Sequence, residues 1–186
     1  MNEIQPMRMA TEPGHAQAQP GKYLTFTVAG EVYGVPVLAV REIVRLCPIT
    51  PVAHMPAHVR GVINLRGRVI PLVDLRIRFG LPSVPDHDRT CIIVAQVRAS
   101  VGGVRPYAVV VDGVEEVVAF AAEDIVPTPD FGGAIDIRFI TGMARRTTGV
   151  TTLVDLEAVA AADRIPDPAD HAPPARAPSA EHPGTP

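Results

Sequence analysis

Residues 61–75 read GVINLRGRVIPLVDL, two apolar runs around a polar knot, Asn64-Leu65-Arg66-Gly67-Arg68. Gly67 suits the left-handed position that closes a tight hairpin. The Asn64 side chain can bond its own turn backbone. The pattern predicts strands over 61–65 and 68–73. Asp74 then caps a short helical turn over 75–79, stopped by Gly80 and Pro82. Most turn arginines are solvated charges, but the flanks of Arg66 are too apolar for a simple surface hairpin. A desolvated guanidinium needs a partner. Glu42, in the similarly apolar stretch 38–44, is the expected one.

Outward from this hairpin the chain is dense in strand signals. Residues 23–28 and 32–35 flank Ala29-Gly30-Glu31 as a hairpin, and Pro36 ends its second strand. Residues 38–46 fit a short amphipathic helix running into a strand. Pro56 opens one helical turn over 56–60. The run 90–97 is almost continuously apolar and reads as a strand buried on both faces. Gly102-Gly103 returns the chain through 105–111, and Asp112-Gly113 turns it again into 114–120. A short turn at 123–125 follows, then strands over 135–140 and 149–154, and Asp155 caps a final helix, 156–162. About ten short strands with few helices make the fold all-β, and two small packed barrels fit that number better than one. No exact tandem repeat is visible, although a Val-Asp step recurs at 73–74, 111–112 and 154–155.

Composition sets limits. The 186 residues carry a net charge of −3 and are 47% hydrophobic but only 4% aromatic, with no Trp. The core is therefore expected to be Val, Ile and Leu, which favours strands. A sequence pI near 6.0 argues against a general nucleic-acid binder, which needs a basic face. Lys22 is the only lysine among 17 basic residues; with Ala, Val and Pro also abundant, the arginine count alone has no functional weight. Cys47 and Cys91 read as buried thiols. No apolar run approaches the ~18 residues of a membrane span, and the N-terminus lacks a secretory apolar region, so a cytoplasmic protein is expected. Residues 1–21 read as a disordered N-terminal tail and residues 163–186, with seven prolines, as a disordered Pro-rich C-terminal tail. The folded domain is expected over 22–162.

Catalytic patterns are missing. His54 and His58 have a zinc-like spacing, but Pro56 between them prevents a shared helix face, so no metal site is expected. Glu115-Glu116, Glu123-Asp124 and the pair Asp86, Asp88 read as solvated charges at turns. The sequence holds no GxSxG, P-loop or GxGxxG, and Ser83, Ser100 and Ser179 have no base beside them. No catalytic residue and no cofactor are expected.

Six segments together resemble the CheW family, the coupling proteins of bacterial chemotaxis: YLTFTVAGEVYGVPVLAVREIV (23–44), MPAHVRGVINLRGRVIPLVDLRIRFGL (55–81), TCIIV (90–94), VVVDGVEEVV (109–118), IRFITGMA (137–144) and TLVDLEAV (152–159). The resemblance implies two five-stranded SH3-like β-barrels packed on a shared core. It implies a non-enzymatic adaptor, without cofactor, joining the cytoplasmic tip of methyl-accepting chemoreceptors to the regulatory domain of a CheA-type histidine kinase, in arrays under the inner membrane. Positions matching the family's receptor groove are Val40, Glu42, Ile43, Gly61, Arg66 and Val117, with Gly61 expected to admit a helix backbone closely. Thr90 and Cys91, taken as exposed strand ends, are the expected kinase contacts. A CheV-type protein is not expected, because too few residues follow 160 for a receiver domain. The alternatives are an adaptor of a non-flagellar chemosensory pathway and, from another class, a small β-barrel nucleic-acid-binding protein. Acidic pI and scarce aromatics oppose the latter.

Overall fold

A computed structural model describes residues 17–98, 103–127, 136–147, 149–163 and 165. The first hairpin is β1 (Gly21–Val28) and β2 (Glu31–Pro36). A 3-10 turn, Val37–Ala39, leads into β3 (Val40–Arg45). The hairpin read first in the sequence is β4 (Val59–Leu65) and β5 (Arg68–Asp74), followed by α1 (Leu75–Arg78). Then come β6 (Cys91–Arg98), β7 (Val104–Val111), β8 (Gly113–Phe120) and a two-residue β9 (Ile125–Val126). The last elements are β10 (Ile140–Arg146), β11 (Gly149–Val154) and α2 (Leu156–Asp163). They form a six-stranded sheet, β8-β1-β2-β11-β10-β9, and a five-stranded sheet, β3-β6-β7-β5-β4. The fold is all-β, as expected.

The reading of 90–97 as a strand buried on both faces holds, and the strand's alternation divides the core. Ile93, Ala95 and Val97 point into a cluster shared by both sheets, while Ile92 and Val94 point into a cluster on the other face of the five-stranded sheet. Tyr23, Phe120, Ala144 and Leu153 form the matching private cluster of the six-stranded sheet. The core is mostly Val, Ile and Leu, as expected, but the few aromatics are concentrated in the shared cluster, where Phe26, Tyr33, Phe79 and Phe139 follow one another at centroid distances of 6.1, 5.5 and 6.4 Å.

Each sheet also rolls onto itself. Strands β3 and β4 are opposite edges of the five-stranded sheet, yet Thr50, just after β3, bridges Val62 of β4 with two 2.9 Å backbone hydrogen bonds. In the six-stranded sheet β9, just after edge strand β8, pairs with β10 through Met143 and Val126. A chain that leaves one edge and pairs with the other curls each sheet toward closure.

These parallels reflect an internal duplication. Leu24 pairs with Val35 and Phe26 with Tyr33; Ile93 pairs with Val109 and Ala95 with Tyr107. Strand β11 runs parallel to β2, opposing Leu153 to Gly34; β5 runs parallel to β7, opposing Leu72 to Ala108. Both final hairpins carry a bulge at the same place, Ile140/Gly142 and Val59/Gly61. Strand β8 matches β3, with Val117 opposite Leu24 as Ile43 is opposite Ile93. The halves β1–β5 and β6–β11 thus share one plan, but they are exchanged: β3, β4 and β5 complete the sheet of β6 and β7, and β8 to β11 complete that of β1 and β2.

Several expectations are corrected. The strand expected over 135–140 lies at Ile140–Arg146, and its described beginning, Ile137–Phe139, is a 3-10 turn. The helical part of 38–46 is only the turn Val37–Ala39, and 56–60 is a β-turn closed by Val59 N to Pro56 O at 2.9 Å. Cys47 and Cys91 are half-buried free thiols. The expected tails lie mostly outside the described residues. Within them, Asp163 ends α2 and is buried, as is Ile165, so the packed structure passes the expected limit of 162.

Candidate functional site

The β4–β5 hairpin turns through Arg66 and Gly67, both left-handed at φ 52° and 81°. Asn64 Oδ1 accepts a hydrogen bond from Gly67 N at 3.0 Å, holding the turn as its sequence suggested. Holding a non-glycine residue there costs about 1 kcal/mol, as it does at Ala29, φ 52°, in the β1–β2 turn. The turn aims Arg66 across the seam, where Nη2 donates to Glu42 Oε2 at 2.9 Å. Arg66 is 78% exposed in its side chain and Glu42 18%. The pair expected from the sequence therefore exists, with a sheltered acid and a presented cation.

The other expected groove positions divide. Val40 is half-buried against the shared cluster. Ile43 and Val117 are 45% and 52% exposed, equivalent positions of the two edge strands, and both point to the sheet face that carries the shared core. Gly61 is corrected. It is buried at φ 134°, and a Cβ there would meet the Thr50 carbonyl oxygen at 2.2 Å. What approaches Gly61 closely is this chain's own seam. Thr90 and Cys91 are not exposed ends: Thr90 is 7% exposed and its Oγ1 accepts from His87 N at 2.9 Å. Cys91 is half-buried against the shared cluster, and burial pushes its thiol pKa up despite an opposing backbone hydrogen bond from Val114.

Sequence reasoning missed two features. Glu115 and Glu116 are not merely solvated: Arg146, at the end of β10, reaches them at 3.4 and 2.5 Å and closes the second seam. The first seam's Glu42 is the structural counterpart of Glu116. The second feature is Asp163, whose side chain is wholly buried. Arg78 Nε lies 2.6 Å away and His58 Nε2 3.0 Å away, neither as an aligned hydrogen bond, while Tyr107 donates its hydroxyl proton to Asp163 Oδ2. Burial first and the Asp163 charge second raise the Tyr107 pKa, so the phenol stays a donor. The arginine also lies over the Phe139 ring at 4.5 Å. No signal near Asp163 in sequence could have found this node, because its partners are far along the chain.

Among the described residues no group of His, Cys, Asp and Glu could hold a metal ion, and no helix is long and apolar enough to cross a membrane. The geometry offers an exposed charged clamp and exposed apolar side chains on a rigid all-β frame, an arrangement suited to docking another protein.

Comparison with known proteins agrees. The model of the CheW-like domain matches residues 22–164. The chain is 33% identical over 144 residues to chemotaxis protein CheW of Klebsiella aerogenes, covering 77% of this chain and 84% of that one. It is 38% identical over 136 residues to chemotaxis protein CheW of Rhizobium meliloti, covering 73% and 84%. The crystal structure of scaffolding protein TtCheW from Thermoanaerobacter tengcongensis superposes with a TM-score of 0.68 at 30% identity, covering 76% of this chain and 92% of that chain. The two sheets and their seams are those of a CheW-like domain. The chain belongs to the CheW family.

Proposed function

We propose that this protein is a non-enzymatic adaptor of bacterial chemosensory signalling, cytoplasmic and recruited to receptor arrays at the inner membrane. It couples the tip of methyl-accepting chemoreceptors to the regulatory domain of a CheA-type histidine kinase. The receptor tip docks as a helical hairpin at Val40, Ile43 and Val117 beside the Glu42–Arg66 clamp. Apolar side chains supply affinity and the charged pair sets orientation. The observation that carries this reading is the clamp itself, a left-handed turn presenting the Arg66 cation to Glu42, the chain neighbour of exposed Ile43. Gly61 acts through the fold.

The test is binding of the full chain to the cytoplasmic fragment of a chemoreceptor from the same organism, and to that organism's CheA-type kinase. Arg66→Glu should weaken receptor binding and leave the fold intact, and adding Glu42→Arg should restore part of the loss. Equal receptor affinity of Arg66→Glu and wild type would overturn the assignment of the site.

A further inference from the structure

The duplicated fold provides an internal control for the chemistry around Arg66. Glu42–Arg66 and Glu116–Arg146 close equivalent seams. Around the first, Arg41, Arg66 and Arg68 converge with Glu42 on a small open pocket of about 180 Å³ with Ile70 and Val94 in its lining. Only Arg66 of these arginines has a carboxylate; among the described residues Arg41 and Arg68 make no ion pair. The register places Glu115, Thr147 and Gly149 where Arg41, Arg66 and Arg68 stand. The second seam closes with Arg146 and no such surplus. Closing this fold therefore does not require the extra cations, and three guanidinium groups around one carboxylate repel one another at a partly apolar surface.

We infer that this pocket receives a carboxylate side chain, a glutamate or aspartate projected by the docked helical partner, gripped by Arg41 and Arg68 beside the Arg66–Glu42 clamp. The inference rests on the docking function proposed above. Charge complementarity selects the occupant. A guanidinium fork matches a carboxylate in two parallel hydrogen bonds, and two unpartnered forks gain most from an incoming acid. The competing occupant is a second copy of this chain offering Glu115 or Glu116.

The test compares wild type, R41Q/R68Q and R41K/R68K, all as full chains, for binding to the chemoreceptor cytoplasmic fragment at low and high salt. R41Q/R68Q should bind roughly tenfold more weakly at low salt and lose most of the salt dependence, whereas R41K/R68K keeps the salt dependence. Equal affinity and equal salt dependence of wild type and R41Q/R68Q would overturn the pocket and leave the docking function standing. A wild type that does not bind the fragment overturns both. Self-association of wild type in sedimentation, abolished by E115Q/E116Q, would give the pocket to a second copy and overturn the inference. As a separate arm, sodium glutarate is titrated while arginine Nε–Hε resonances are followed. Arg41, Arg66 and Arg68 should shift and Arg145 and Arg146 should not; a uniform shift of all five, an adventitious ion only, overturns the site.

Discussion

Arg78 of α1 and Asp163 of α2 meet at 2.6 Å inside the protein, joining the helix that ends one half of the duplication to the helix that ends the other. A carboxylate with no solvent needs all of its partners, and removing one member of such a node leaves an uncompensated charge. Asp163→Ala should therefore lower stability by about 3–5 kcal/mol. The urea midpoint should fall with an unchanged slope. A chain ended at residue 162, which also lacks the buried Ile165, should lose at least as much.

Gly61→Ala separates fold from binding. The added methyl would meet the Thr50 carbonyl, and the backbone there is left-handed at φ 134°. Both effects act on the folded chain alone, so the variant should lose about 2 kcal/mol or more by thermal or urea unfolding. A Gly61→Ala protein as stable as wild type would show that the seam yields easily.

The Glu42–Arg66 clamp should add little to stability, because Arg66 is 78% exposed in its side chain. A double-mutant cycle with Glu42→Gln and Arg66→Gln should give a coupling energy of about 1 kcal/mol or less, shrinking with salt. Receptor affinity should fall in the same variants by more than stability does.

Asp86 offers a pH test. Arg60 forks onto it with hydrogen bonds of 2.7 and 2.6 Å and, as the leading cause, holds its carboxyl below the usual aspartate range. A depressed folded-state pKa contributes stability above the unfolded value of about 3.9 and loses it as pH falls through the lower folded value. Asp86→Asn should thus be less stable than wild type at neutral pH, by about 1 kcal/mol or less at this partly exposed site, and the two should converge in strong acid.

The legible parts of this fold are local. The turn at 66–67 declares itself by Gly67 and Asn64, and the buried strand β6 by its unbroken apolar run. The Glu42–Arg66 pair exists as expected, but not for the expected reason: Arg66 is exposed and it is Glu42 that is sheltered. Strand β10 was displaced because Gly142 and Ala144 carry little strand signal, and its place is set by pairing with β9 and β11. The Arg146 clamp and the Asp163 node hid for the same reason: their partners lie 30 and 56 residues away or more. The duplication hid because its halves agree in register more than in side chains, as at Tyr33 and Tyr107 against Phe26 and Ala95.

The exchange of strands between halves governs how the chain is made. Neither half can finish a barrel alone, since each sheet takes strands from both. During synthesis the hairpins β1–β2 and β4–β5 leave the ribosome before the second-half strands that complete their sheets, and β10 and β11 must emerge before the first hairpin is enclosed. Such non-local pairing folds slowly and holds open apolar edges meanwhile. Late completion of both sheets is therefore built into this architecture.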